Sequence, residues 1–297
     1  MQYIRLQGFS LSKIILGTWA IGGTHWGTYD EQAAIKTIET AIELGINTID
    51  TAPVYGNGHA ERLIGSIIKS KRESIVIATK CGIDPAAPFR IDLSPKFIRK
   101  EIENSLRRLN TEYIDLYQCH WPDTSTPVAK TMEVLNQLKK EGKINHIGVC
   151  NFRDNELREA TRYAEIVTCQ NQYSLLKRDI ENRIQKTCIE KNIWILPYGV
   201  LGGGVLTGKY SVQPIFEHND ARSIFYPYYS RQAWPRTETI VKALRQEAQQ
   251  KNCTPAQAAI AWVLHQPAIV AAIVGARTPK QIEEHLQGLS SVAFKKN

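Results

Sequence analysis

The sequence lacks the features that would place the chain in a membrane or mark it for export. None of its apolar runs approaches the roughly 18 residues that a membrane-spanning helix needs. The first residues, from Met1 to Arg5, include no apolar stretch of the signal-peptide kind. We therefore expect a soluble, cytoplasmic protein without a membrane partner.

Cysteine is scarce, and its spacing is not that of a metal site. The six cysteines include no Cys-x-x-Cys pair, which argues against a bound metal and against a dithiol centre. Cys119 and Cys169 lie within apolar runs, where cysteine behaves as a small buried residue. We expect reduced thiols and no metal ion.

The chain has fewer acidic residues than basic ones. It contains 37 Lys and Arg against 29 Asp and Glu, a formal net charge of +8. The basic residues are scattered, as at residues 69–72 and 139–140, and form no continuous stripe, so we expect no nucleic-acid partner. A positive field would, however, favour a cofactor that carries several phosphates.

Short apolar runs alternate with amphipathic segments along the chain. The predicted strands lie near residues 14–18, 47–51, 75–80, 114–119, 145–150, 166–170, 193–198 and 269–274. The segments between them begin at helix-capping residues, as at Asp30, Ser94 and Thr254. Eight such units predict a closed (β/α)8 TIM barrel that forms a single domain over residues 1–297.

An open, doubly wound sheet is the alternative fold. That fold requires a Gly-x-Gly-x-x-Gly turn after the first strand, and residues 17–23 do not match this pattern.

Two segments are additional to a minimal barrel. Residues 3–13 predict an N-terminal hairpin, and residues 199–235 predict a long loop after the seventh barrel strand, with few core contacts for its Tyr-rich part.

Four polar residues follow consecutive predicted strands. Asp50, Lys80 and His120 each stand at a strand end, and Tyr55 lies on the loop after Asp50. Each has a plainer explanation taken alone, since Asp50 could cap a helix and His120 could be a core histidine. The carboxyl ends of barrel strands meet at one face, so the four together predict a proton-donating active site.

The sequence around these residues resembles the aldo-keto reductase superfamily. The resemblance rests on Asp-Thr-Ala-Pro-Val-Tyr-Gly at 50–56, Ala-Thr-Lys at 78–80 and Gln-Cys-His-Trp-Pro-Asp at 118–123. Residues 16–23 and 274–279 fit the same family, and the whole resemblance spans roughly residues 3 to 290. It is strongest to the bacterial branch that also resembles potassium-channel β subunits.

The resemblance implies an NADPH-dependent enzyme that reduces an aldehyde or ketone to an alcohol. It makes Tyr55 the general acid, with a pKa lowered by Lys80, and pairs Lys80 with Asp50. It gives His120 the task of orienting the carbonyl oxygen. Two other possibilities remain open, an NADPH-binding redox sensor or regulatory subunit with slow turnover, and a barrel lyase or isomerase.

The resemblance also implies which residues hold NADPH or NADP+. Asn151 and Gln172 would hold the carboxamide and Tyr198 the nicotinamide ring, while Arg277 would face the 2′-phosphate. The full predicted set comprises Gly17, Thr18, Trp19, Asp50, Asn151, Gln172, Tyr198, Gly199, Leu201, Gly203, Lys209, Gly275, Arg277, Gln281 and Glu284. Cys150 is a doubtful ligand, since many relatives carry serine there.

Tryptophans are the predicted walls of the substrate pocket. All three, Trp19, Trp26 and Trp121, flank the predicted mouth of the barrel, and Trp19 and Trp121 directly follow predicted strands. We expect the partner to be a small-molecule carbonyl compound and the protein to be a monomer. The sequence does not identify the physiological carbonyl.

Overall fold

A computed structural model describes residues 1–6, 8–87 and 90–287. Within these ranges the strands are β1 (Tyr3–Leu6), β2 (Phe9–Ser12), β3 (Ile14–Gly17), β4 (Thr48–Asp50), β5 (Val76–Cys81), β6 (Ile114–Cys119), β7 (Ile144–Cys150), β8 (Ile166–Gln170), β9 (Trp194–Ile195) and β10 (Ala272–Gly275). The α-helices are α1 (Glu31–Glu43), α2 (His59–Ile68), α3 (Pro95–Leu109), α4 (Val128–Lys140), α5 (Asp154–Ala160), α6 (Ile184–Lys191), α7 (Ala221–Phe225), α8 (Trp234–Gln250), α9 (Pro255–Leu264) and α10 (Pro279–Leu286).

Strands β3 to β10 form one parallel sheet that curls into a barrel. Their order is β10-β3-β4-β5-β6-β7-β8-β9. The two end strands meet through backbone hydrogen bonds, since Ile195 donates to the Ala268 carbonyl at 2.9 Å and Ile273 donates to the Pro197 carbonyl at 2.9 Å. The predicted (β/α)8 barrel is therefore confirmed. No helix in the described ranges is both long and apolar enough to cross a bilayer.

The helix starts follow the capping residues in the sequence. The Asp30 carboxylate accepts a hydrogen bond from the Ala33 amide at 3.0 Å and starts α1. At α9, Thr254 and Gln257 form a reciprocal capping box. Helix α1 ends just before Gly45, which takes the left-handed φ of +87° that glycine tolerates best.

The predicted N-terminal hairpin is present as the antiparallel pair β1 and β2. Leu6 and Leu11 of this hairpin are buried against Ile15 and Val76, which belong to the barrel interior. The Ser12 amide also donates to the Asn47 side chain at 2.7 Å, just before β4 begins. The hairpin therefore covers the amino-terminal end of the barrel and leaves the carboxyl end to the functional residues.

The segment after β9 is more ordered than the sequence predicts. Residues 202–207 and 227–229 form short 3₁₀ helices on either side of α7. Tyr226, Tyr228 and Tyr229 are each at most 7% exposed and pack with Val241 and Leu244 of α8. The expectation of few core contacts was wrong, because the two helices that follow this segment, α8 and α9, fold back against the tyrosines and form a separate core with them.

Candidate active site

The four predicted catalytic residues lie together at the carboxyl end of the barrel. Asp50 is the last residue of β4, and Tyr55 stands on the loop that follows it. Lys80 is the penultimate residue of β5, and His120 comes directly after β6. Since these strands are neighbours in one parallel sheet, their ends deliver all four side chains to one place.

Lys80 is the centre of this cluster. Its ammonium donates to Asp50 Oδ1 at 2.7 Å, to the Thr51 carbonyl at 2.9 Å and to the Tyr55 hydroxyl at 3.3 Å. Lys80 and Asp50 are 1% and 3% exposed, so the pair is almost fully removed from water. Three partners use all three ammonium protons and fix the Lys80 nitrogen beside the phenol.

The structure adds Gln170, which the sequence analysis missed. The Gln170 side-chain amide donates to Asp50 Oδ2 at 2.8 Å, so both carboxylate oxygens of Asp50 are bound. Gln170 is buried at the end of β8. A polar residue at the end of an apolar strand is the sequence signal that could have identified it. The predicted Gln172 lies outside this network, with its amide 3.4 Å from the Tyr228 hydroxyl.

Burial governs the acidity of Tyr55. Loss of solvent raises the pKa of Tyr55 to about 12, although the Lys80 charge and hydrogen bond act in the opposite direction. The Lys80 contribution therefore has the predicted sign, but the predicted net lowering of the Tyr55 pKa is wrong. Burial likewise disfavours the Lys80 ammonium, yet Asp50 and Tyr55 reverse this and raise the Lys80 pKa.

His120 is held as a neutral imidazole. Burial, helped by the nearby Lys80 charge, keeps the pKa of His120 well below its usual range. The His120 ring lies nearly perpendicular to the Tyr55 ring, at 83° with centroids 6.0 Å apart. A neutral imidazole beside the phenol can donate one hydrogen bond, through its single N–H, to an oxygen atom. It carries no positive charge in that state.

Aromatic rings surround the Tyr55 phenol. Trp19 lies nearly parallel to it, at 24° with centroids 6.2 Å apart, and Trp26 meets Trp19 edge-on at 5.2 Å. Helix α7, in the segment after β9, contributes Phe225, which also meets Trp19 edge-on at 5.2 Å and which the sequence analysis did not place. Trp121, the third predicted wall, follows His120 directly and is 39% exposed.

The residues predicted for the nicotinamide lie beside the catalytic cluster. The Tyr198 hydroxyl donates to Asn151 Oδ1 at 2.8 Å, and Asn151 Nδ2 donates to the His120 carbonyl at 3.0 Å. The bridge between Gln172 and Tyr198 places these two side by side. Cys150 is fully buried, and burial raises the pKa of its thiol well above the usual value.

The residues after β3 and β10 adjoin the same end of the barrel. Gly17 is in register with both Gly275 and Asp50, so three predicted residues stand at one level. A Cβ atom on Gly17 would lie 2.9 Å from the Ile273 side chain, which explains the need for glycine there. The Thr18 hydroxyl donates to the Asp50 carbonyl at 2.9 Å and fixes the loop that carries Trp19.

The glycine-rich segment after Tyr198 forms a tight series of turns. Gly199 and Gly203 take φ values of +65° and +66°, which other residues adopt only with strain. Leu201 precedes the 3₁₀ helix of residues 202–207. Lys209 is exposed at the end of this segment, with its ammonium 4.9 Å from the Tyr210 ring centroid.

The last predicted group begins α10. Thr278 caps this helix by accepting from the Gln281 amide at 3.3 Å, and Gln281 Oε1 in turn accepts from the Arg277 amide at 2.8 Å. The Arg277 guanidinium donates to the Thr28 carbonyl on the loop after β3. Glu284 is exposed and lies 4.0 Å from the Lys280 ammonium. Within the described ranges, no cluster of His, Cys, Asp or Glu is suited to hold a metal ion.

This arrangement agrees with comparisons to known proteins. The model of the aldo/keto reductase family matches residues 13–296. The chain belongs to this family. It is 39% identical to aldo-keto reductase YhdN of Bacillus subtilis, an alignment that covers 93% of this chain and 84% of the relative.

Other relatives of the family differ in the activities that they are named for. The NADH-specific methylglyoxal reductase of Escherichia coli is 36% identical, over 95% of this chain and 90% of that protein. The solved glycerol dehydrogenase AKR11B4 of Gluconobacter oxydans is 37% identical, with a TM-score of 0.87 over 95% of this chain and 88% of that one. Family membership therefore establishes an oxidoreductase that uses a nicotinamide cofactor and acts on small carbonyl compounds, but leaves the coenzyme and the substrate open.

Proposed function

We propose that this aldo-keto reductase converts an aldehyde or ketone to an alcohol with NADPH. The observation that carries the proposal is the contact of the Lys80 ammonium with both the Asp50 carboxylate and the Tyr55 hydroxyl, at 2.7 and 3.3 Å. That contact places a proton donor beside a buried positive charge. Bound NADPH would supply the hydride for the carbonyl carbon.

In the proposed reaction, Tyr55 gives its hydroxyl proton to the carbonyl oxygen of the substrate. A partly buried phenol alone is a poor acid, and Lys80 compensates by stabilising the phenolate that forms. Asp50 keeps Lys80 charged and in place. His120, as a neutral donor, binds the same carbonyl oxygen and orients it toward Tyr55.

The residues present fit a nicotinamide dinucleotide. Amide groups that can donate and accept, as a carboxamide requires, come from Asn151 and from Gln170 or Gln172 at adjacent strand ends. The turns at Gly199 and Gly203 leave room for backbone amides to approach a pyrophosphate closely. The N-terminus of α10 carries the positive end of the helix dipole, and Arg277 adds a positive charge there for a phosphate.

Arg277 supports NADPH over NADH as the coenzyme. A guanidinium next to a helix N-terminus suits the 2′-phosphate that distinguishes NADPH. In this structure the guanidinium donates to the Thr28 carbonyl and would share or exchange that contact for a phosphate. A 36% identical relative is named as NADH-specific, so the coenzyme is the first property to measure.

The expectation from the sequence that the protein is a cytoplasmic monomer remains a prediction.

Replacement of Tyr55 by phenylalanine tests the proposed reaction. Tyr55→Phe keeps the ring against Trp19 but removes the donor, so we expect reduction of a generic aldehyde to slow at least ~100-fold. The dissociation constant of NADPH should stay nearly the same, as measured by quenching of protein fluorescence. As a matched control, Tyr163→Phe changes an exposed tyrosine that is 46% accessible and should leave the rate unchanged.

Kinetics of the variant and of the wild-type protein together distinguish an enzyme from a slow redox sensor. Wild-type turnover in the Tyr55→Phe variant would refute Tyr55 as the acid. Rapid single-turnover oxidation of bound NADPH by the wild-type protein, followed by very slow steady-state turnover, would instead indicate a regulatory subunit. A screen against sugars, aromatic aldehydes, dicarbonyls and pyridoxal would then define the substrate class.

A further inference from the structure

The barrel interior contains a glutamine whose polar atoms have no partner among the described residues. Gln118 is fully buried, and neither its amide nitrogen nor its amide oxygen makes a hydrogen bond there. The hydroxyl of Thr168, also fully buried, is in the same situation. Gln118 is the register partner of Lys80 on the adjacent strand, so the two residues stand side by side at one level of the barrel.

Gly148 brings these two polar groups together. It is the register partner of Gln118 on one side and of Thr168 on the other. A Cβ atom on Gly148 would lie 2.4 Å from the Thr168 hydroxyl and 3.3 Å from Gln118 Oε1. The Thr168 hydroxyl and the Gln118 amide therefore border the same small space beside Gly148. A larger residue at that position would fill this space.

An amide buried without hydrogen bonds would destabilise the fold strongly. Such groups in native proteins are almost always satisfied, either by protein atoms or by ordered water. The side chains that fill the barrel interior below Gln118, towards the amino-terminal end, are apolar and include Ala78 and Leu116. Such side chains offer no hydrogen-bonding group. The remaining partner that chemistry allows is water, which can donate to Gln118 Oε1 and accept from its amide.

We propose that Gln118 and Thr168 bind ordered water inside the barrel, next to the Lys80–Asp50 pair, and that Gln118 is a positioning residue for the reaction through this water. The catalytic part of this inference rests on the proposed function. A buried ion pair needs polar surroundings to offset the loss of solvent. Water held by Gln118 supplies them on the side of the pair that faces away from the substrate.

The titratable groups that face this region come from several strands. Asp50 of β4, Lys80 of β5 and Cys150 of β7 interact electrostatically with Tyr55, and so do Tyr198 and Tyr226 of the segment after β9. The His120 ring after β6 lies 6.0 Å from the Tyr55 ring, centroid to centroid. Removing the water makes the region less polar and therefore disfavours the phenolate of Tyr55. Alcohol oxidation requires that phenolate as a base, so its pH profile should move towards higher pH.

Gln118→Leu tests the proposal because leucine has a similar volume and no polar atoms. We expect the pH profile of alcohol oxidation to move up by about one pH unit, and its rate at neutral pH to fall about tenfold. The KM for the coenzyme should not change. Gln185→Leu is the control, since Gln185 is a buried glutamine whose amide binds the Pro267 carbonyl away from the site. It should leave the pH profile in place.

Direct detection of the water separates this inference from the proposed function. A crystal structure of the wild-type protein at high resolution should show ordered water bound to Gln118 and Thr168, whether or not any carbonyl is reduced. A dry Gln118 amide would overturn the proposal. So would a Gln118→Leu protein with an unchanged pH profile. If Gln118→Leu fails to fold, Thr168→Val serves as the second variant, and its unchanged profile would overturn the positioning role equally.

Discussion

Glu101 should make the stability of this protein fall as the pH rises. Glu101 lies on α3 and is 4% exposed. One carboxylate oxygen accepts from the Gly82 amide at 2.7 Å, and the other has no partner among the described residues. Burial raises the pKa of Glu101 to about 8, because it outweighs the lowering effects of the Gly82 bond and of Arg108.

The sign of the effect follows from proton linkage. In the unfolded chain this carboxyl ionises near its ordinary value of 4.5, whereas in the folded protein it holds its proton to about pH 8. The stability contribution is therefore fully present below pH 4.5 and is lost as the pH rises through 8. At about 1.4 kcal/mol for each pH unit the full effect is roughly 5 kcal/mol, and we expect relaxation of the site to reduce it to ~2–4 kcal/mol.

Glu101→Gln removes the titration and keeps an oxygen that can accept from Gly82. We expect this variant to match the wild type at pH 5 and to exceed its free energy of unfolding by ~2–4 kcal/mol at pH 9, because the glutamine never ionises. Urea denaturation followed by circular dichroism at both pH values measures the difference. Glu103→Gln is the control on the same helix, since Glu103 is 50% exposed. An equal difference at pH 5 and pH 9 would refute the reasoning.

Two further predictions concern the coenzyme. NADPH should bind about 10- to 150-fold more tightly than NADH, which is the range expected for one charged hydrogen bond. Arg277→Ala should abolish this difference. Equal affinities for the two coenzymes in fluorescence titrations of the wild type would contradict the assignment of Arg277. Because Tyr226, Tyr228 and Tyr229 are already buried, NADPH should slow amide exchange mainly across residues 199–209 and only weakly across 210–232. Hydrogen-exchange mass spectrometry measures this, and equally strong protection of both segments would show that the whole insertion closes on the coenzyme.

Much of the fold and of the catalytic cluster could be predicted from the sequence by itself. Short apolar runs alternating with amphipathic segments predicted a parallel barrel, because such runs suit strands buried on both faces and such segments suit the helices that cover them. The barrel then determined that Asp50, Lys80 and His120, each at a strand end, would meet at one face. These predictions depend on local patterns and on one rule of barrel geometry, so they needed no tertiary contacts.

Only the tertiary structure decided the features that depend on distant contacts. The Tyr-rich part of the segment after β9 has a core because residues of α8 and α9 pack against it. No local sequence pattern identifies those partners. That Gln170 binds the second carboxylate oxygen of Asp50 depended on the barrel bringing the ends of β4 and β8 within hydrogen-bond distance, a contact across 120 residues of chain. The net rise of the Tyr55 pKa depended on the depth of burial, which outweighs the Lys80 charge. Burial is a property of the whole packed molecule, so charges read from the sequence could supply the sign of each contribution but not their balance.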